Sequence, residues 1–249
     1  PTRAPRTEAY AVRVEDGERA IAHYERLSVA DQIFLGMEDH DAHMHVTGCL
    51  VFDAAPVRGA EGGVDFERLC DYVESRLHLV PRYRQRIATI PVENHPIWVD
   101  DARFNLRYHV RHTHLPRPGD ERQLKRLIGR ITSQPLDRGK PLWELWLVDG
   151  LEGDRFAVIA NVHHCMADGL GSLELLAALL TPRPTKSFEP PPAWIPRPAP
   201  ERAQQPVGRT LAVLHEVDQR VEQRHGRRVA ARQAGARDVD QPLSPRREP

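Results

Sequence analysis

Cysteine is scarce in this chain. Cys49, Cys70 and Cys165 are its three thiols, far apart and without a C-x-x-C pair. An odd, dispersed set supplies neither a disulfide framework nor a thiolate zinc site, and it reads as reduced thiols in a cytoplasmic setting. Long apolar runs are lacking too. Mean hydropathy is -0.53, and no segment approaches the roughly 20 apolar residues of a spanning helix. The polar, Arg-bearing start at Pro1 carries no signal-peptide apolar region. Net charge is missing as well: 35 Lys+Arg cancel 35 Asp+Glu. That balance argues against a globally basic nucleic-acid binder. No repeat of about 20–50 residues is visible.

What remains has the makings of a globular protein, since 249 residues suffice for one substantial core or two small ones. Residues 1–26 are polar and aperiodic, and read as a flexible leader. From Leu27 the pattern becomes ordered. Ser28 can cap a helical turn carrying Ile33, Phe34 and Met37. Val46 to Phe52 is a strand candidate. Phe66, Leu69, Cys70, Val73 and Leu77 form a helix face that Pro81 ends. Leu106–Leu115 alternates like a strand, and Leu124, Leu127, Ile128 and Ile131 mark a helical stripe within Asp120–Ile131. Leu142–Val148 and Phe156–Val162 read as strands around a Gly150–Gly153 turn. Gly169–Leu180 is a short apolar helix. Mixed strands and helices make an α/β fold.

Beyond Leu180 the composition shifts. Eight prolines between Pro182 and Pro200 indicate a stiff, extended linker. Thr210–Arg224 could form one helix, with a disordered tail from Gly226. The expected organisation is a folded domain over residues 27–187 and a linker, helix and tail over 188–249.

The chemistry concentrates at His163-His164-Cys165-Met166-Ala167-Asp168-Gly169, where an apolar strand gives way to a helix. Neighbouring strand residues point to opposite faces, so His163 and His164 cannot share one target. An imidazole titrating near neutrality is a natural base for an alcohol proton. Asp168 could fix local geometry, and Gly169 and Gly171 would allow close approach. The alternative is structural: Asp168 as a helix cap, and a core histidine bonded to a carbonyl. Other frames are incomplete. Gly171-Ser172 does not complete G-x-S-x-G, no phosphate-binding G-x-x-x-x-G-K-[ST] occurs, and His215-Glu216 lacks a second histidine.

The run from His163 to Gly169 matches the H-H-x-x-x-D-G motif of the CoA-dependent acyltransferase superfamily, which peptide-synthetase condensation domains share. Its surroundings narrow the match. Leu27-Ser-Val-Ala-Asp-Gln-Ile-Phe-Leu, His43-Met-His-Val, Pro81-Arg-Tyr-Arg-Gln-Arg, Pro96-Ile-Trp-Val-Asp-Asp, Tyr108-His-Val-Arg-His and Pro135-Leu-Asp-Arg-Gly-Lys-Pro-Leu-Trp-Glu follow in order. Over roughly residues 27–195 this succession resembles the bacterial wax ester synthase/diacylglycerol acyltransferase family. The resemblance implies a chloramphenicol-acetyltransferase-like mixed sheet with packed helices, one half of a two-domain arrangement. It implies acyl transfer from acyl-CoA, as co-substrate and with no further cofactor, to diacylglycerol or a long-chain alcohol. By carry-over His164 is the general base, Asp168 an organising carboxylate, Gly169 an opener of the turn, and His163 structural. Pro141, Leu142 and Trp143 match a recurrent family segment that would scaffold the substrate pocket, with an ordinary core tryptophan as the favoured alternative. The expected partners are those substrates, a membrane surface or lipid inclusion in the cytoplasm, and either a second domain or another copy of the chain; nucleic acid is not among them. Turnover by this short chain is conditional, and a non-catalytic lipid- or partner-binding half-protein and a condensation-type domain are the alternatives.

Lesser features have plain readings. His43 and His45 share a strand face beside His40, yet no completing ligand set is apparent and a metal is not expected. Arg82, Arg84 and Arg86 alternate, so an extended segment would aim all three one way, either at CoA phosphates or at solvent. Cys165 is a rival nucleophile, set aside because it occupies a free position of the motif.

Overall fold

Two four-stranded sheets organise the protein, seen in a computed structural model that describes residues 8–11, 21–39, 41–60, 62–90, 95–166, 178 and 188–200. All of these lie in the first of two units, residues 1–207; residues 208–249 form the second. The first sheet contains β1 (Glu8–Ala11), β2 (Ile21–Arg26), β4 (Gln85–Ile90) and β5 (His95–Asp100), in the order β1-β2-β5-β4 with antiparallel neighbours. The second contains β3 (His45–Asp53), β6 (Val110–His114), β7 (Trp143–Leu151) and β8 (Arg155–His163), in the order β3-β8-β7-β6. Only β6 and β7 run parallel within it. A parallel pair needs a crossover. Helix α4 (Glu121–Thr132) supplies it, started by a capping box between Asp120 and Gln123.

The periodicity explains why these sheets pack. Along β7 and β8, Trp146, Val148, Ala157 and Ile159 face Leu124 and Ile131 of α4, while Leu145, Ala160 and Val162 face the opposite side. There α1 (Val29–Met37) and α2 (Phe66–Arg76) join Trp98 and Ile87 of the first sheet in one core with Trp143. Ser28 caps α1 in a capping box with Asp31, and Asp65 caps α2. The hairpin between β7 and β8 turns through Gly153 and Asp154, both at positive φ. Gly150 also sits at φ 80, where a Cβ would stand 2.7 Å from the Leu115 carbonyl oxygen, so only glycine fits.

The mixed α/β reading holds, and several local expectations do not. Ile21–Arg26 falls in the expected leader yet forms β2, burying Ala22 and Tyr24 in alternation. Glu25 there pairs with Arg82 at 2.7 Å, so polar composition hid a strand. The Leu106–Leu115 strand begins late: Asn105 accepts the Arg107 N–H and starts a helical turn, α3 (Leu106–His109), before β6. The arginines do not align, because Pro81 opens a tight turn over Pro81–Arg84. Arg82 stacks on Trp98, Arg84 is buried, and Arg86 contacts the Ile87 carbonyl. Residues 188–200 run without regular structure, as an extended linker would, but against the domain: Pro198 O accepts the His23 N–H, and Arg197 pairs with Asp100. The expected helix at Gly169–Leu180 lies outside the described residues apart from Ala178, and the Thr210–Arg224 helix and tail lie wholly outside them.

Candidate active site

Strand β8 places the histidines. It lies between β3 and β7, and seven of its nine residues are buried outright, all but Arg155 and Val158. Its end is tied on both sides: the His163 N–H donates to Leu142 O at 3.0 Å and the His164 N–H to Met44 O at 2.7 Å. The chain then enters a single tight turn, His164–Met166. The Cys165 N–H donates to His163 Nδ1 at 3.1 Å, which makes that nitrogen an acceptor and leaves the ring proton on Nε2.

The two imidazoles part company where the strand ends, His163 being the last residue of β8 and His164 the first of the turn. His163 is fully buried beside His45, with Nε2 3.5 Å from Glu38 Oε2. Burial pushes its pKa down despite the carboxylate, so His163 is neutral near pH 7. His164 is only half-buried and stacks on Phe34 of α1, ring centroids 3.8 Å apart. Its Nδ1 is itself buried and has no hydrogen-bond partner among the described residues. A half-buried imidazole that stands outside the Glu38 cluster can serve as a proton acceptor.

A buried carboxylate absent from the sequence expectation organises the His163 side. Glu38 follows the last turn of α1 and accepts from Arg138 Nε at 3.0 Å and from Arg138 Nη2; Arg138 Nη2 also donates to Leu35 O. His45 Nε2 lies 3.5 Å and His43 Nδ1 3.9 Å from Glu38 Oε1. Burial would raise the Glu38 pKa, but the close approach of His163 and His45 and the hydrogen bonds from Arg138 outweigh it and hold the carboxyl well below its usual range. A carboxylate at a helix C-terminus opposes the macrodipole, and α1 has no basic residue in its last turn. That mismatch was the available signal for Glu38 and for a distant cation.

The histidine cluster near residue 43 is thus arranged about a carboxylate. Among the described residues no group of three or more His, Cys, Asp or Glu is placed to hold a metal ion, and His40 lies outside them. Ala167, Asp168 and Gly169 also lie outside the described residues. Pro141, Leu142 and Trp143 are buried, without open surface. Trp143 Nε1 donates to Tyr83 O at 2.8 Å, and its ring stacks on His109 at 4.6 Å. Leu142 O receives the His163 N–H, so the segment scaffolds the strand end. Cys165 is buried and its thiol pushed well above its usual pKa by desolvation, so no thiolate is available.

The family description "wax ester synthase/diacylglycerol acyltransferase catalytic domain" matches residues 27–249. The chain is 38% identical over 151 residues to a Mycobacterium tuberculosis protein named as a probable diacylglycerol O-acyltransferase, tgs3, covering 60% of this chain and 54% of that one. It is 38% identical over 164 residues to another so named, tgs1, covering 65% and 34% respectively. The solved wax ester synthase/diacylglycerol acyltransferase of Marinobacter aquaeolei VT8 superposes with a TM-score of 0.56 at 29% identity, over 67% of this chain and 39% of that one. The chain therefore spans about half or less of the length of these relatives.

Proposed function

The chain belongs to the wax ester synthase/diacylglycerol acyltransferase family, and on that premise we propose that it transfers an acyl group from acyl-CoA to a hydroxyl of diacylglycerol or a long-chain alcohol. His164 is the general base. A ring nitrogen of the neutral imidazole takes the acceptor's hydroxyl proton as that oxygen attacks the thioester carbonyl carbon. The tetrahedral intermediate collapses by breaking the C–S bond, and the imidazolium returns its proton to the departing CoA sulfur. Ester and free thiol leave, and His164 is neutral again.

The observation that supports this reading is the division of labour between the histidines. His163 accepts from Cys165 N–H and lies against Glu38 in the core, so it fixes the turn, whereas His164 is half-buried against Phe34 and outside the Glu38 cluster. Phe34 lies flat against the His164 ring and limits its rotation. Along α1, Val29, Ile33 and Met37 are exposed at i, i+4 and i+8, an apolar stripe on the helix that carries Phe34. Such a stripe suits an acyl chain, a lipid surface or a second domain. Asp168 and Gly169 act as organising carboxylate and turn opener, and Pro141, Leu142 and Trp143 as scaffold.

The test is a radiolabelled acyl-CoA assay on the 249-residue chain with diacylglycerol, hexadecanol and no acceptor. Labelled ester formed with an acceptor, and absent in His164→Ala, is expected. Acyl-CoA binding without ester formation would instead favour a lipid-binding protein that retains the motif.

A further inference from the structure

Away from the histidines, Arg84 is a buried cation without a hydrogen-bonded or ion-paired partner among the described residues. Arg84 closes the turn Pro81–Arg84 and is 5% exposed. Its guanidinium lies over Trp194 at 5.2 Å and near Phe104 at 5.9 Å. Nε is buried without a hydrogen-bond partner, and among the described residues no carboxylate stands within ion-pair distance. Its neighbours differ: Arg82 pairs with Glu25, and Arg107 with Glu67. Removing a guanidinium from water without a compensating partner is costly, so an unpaired one beside open space marks a place for an anion.

That open space is a cleft of about 590 Å³ between α2, the start of α3 and the Pro191–Trp194 segment, within the roughly 300–1,000 Å³ of small-molecule sites. Arg84 lines it together with apolar Phe104, Leu106, Pro192 and Trp194 and with polar Asn105. Asp71 and Glu74 line it as well, and Arg107 is neutralised by Glu67.

We propose that this cleft binds the carboxylate of an amphiphilic monocarboxylate, its head on Arg84 and its apolar chain along Phe104, Leu106 and the Pro191–Trp194 segment. Aromatic rings occupy the face of the guanidinium, leaving its N–H edge, whose planar fork matches a carboxylate. The acidic pair Asp71 and Glu74 disfavours a phosphate dianion more than a single negative charge. This site is separate from the histidine cluster, which shares none of its lining residues, and it does not depend on acyl transfer.

The probes are decanoate, decyl phosphate and decanol, titrated by calorimetry into the full chain. Decanoate should bind more tightly than either analogue. Arg84→Leu should weaken decanoate by about 10- to 100-fold, the range expected for a lost charge-assisted hydrogen bond, and Arg84→Lys by less. Because Arg84 variants could fold poorly, the unaltered protein carrying 5-fluorotryptophan gives a second readout. The Trp194 fluorine resonance, assigned with Trp194→Phe, should shift on adding decanoate. Equal binding by folded Arg84→Leu, equal or tighter binding of decanol or decyl phosphate, or an unmoved Trp194 resonance would each overturn the proposal.

Discussion

Glu38→Gln probes the carboxylate around which His163, His45 and Arg138 gather. The substitution keeps shape and volume but removes the charge that accepts from Arg138 Nε and Nη2. Breaking one side of a buried ion pair costs roughly 3–5 kcal/mol. The Glu38 side chain is 8% exposed but that of Arg138 25%, so water relieves part of the loss and about 3 kcal/mol is expected. For a chain of this size that is a fall in Tm of roughly 6–12 °C. Urea unfolding of parent and variant at pH 7.5, 5.5 and 4 measures it. The Glu38 carboxyl is held below its usual range, so its contribution is complete above the unfolded pKa of about 4.5 and disappears as pH falls through the folded value. The gap between parent and variant should therefore be full at pH 7.5 and 5.5 and narrow towards acid. A gap under about 0.5 kcal/mol at pH 7.5, the scatter of ordinary surface changes, would refute the assignment; so would a gap that widens in acid.

Burial lowers the pKa of His109 from 6.5 to about 4, against a hydrogen bond to Trp143 O. Its neutral-state contribution is thus intact above pH 6.5 and lost as pH falls towards 4, about 3 kcal/mol in all; His109→Phe should flatten that part of the stability–pH curve, and an unchanged slope would exclude it. Trp143→Ala should cost about 3–5 kcal/mol, measured by denaturant midpoint, since Trp143 fills the main core and its indole N–H is bonded. Cys165→Ala should keep most of the turnover, with no acyl adduct on the parent thiol by mass spectrometry, because the thiol is buried and protonated; a competent acyl-thioester at Cys165 would replace direct attack by a covalent route.

Where side-chain spacing alone decides, the sequence was readable. Ser28 caps α1 as its position suggests, and Cys70, Val73 and Leu77 form a buried face. His163 and His164 do take different environments, although His164 stands in the turn after β8 and not within the strand. Long-range pairing was less legible. Ile21–Arg26 is a strand because β1 pairs with Ile21–Tyr24 and β5 with Glu25 and Arg26, and no local signal in that polar stretch announces those partners. Arg82, Arg84 and Arg86 look alternating on paper, but Pro81 turns the backbone before β4 begins. Glu38 and Arg138 meet across 100 positions of sequence; only the awkward charge at the end of α1 hinted that such a partner was needed.

The division of roles at the strand end is tested most directly by turnover of His164→Ala against His163→Ala, with folding checked by circular dichroism and urea midpoint. His164→Ala should stay folded and lose about 10²–10⁴-fold in kcat, the range for a missing general base. His163→Ala should lose stability first, since its imidazole fills a buried site between Cys165 N–H and Glu38. A folded His164→Ala enzyme with parental kcat would contradict the account.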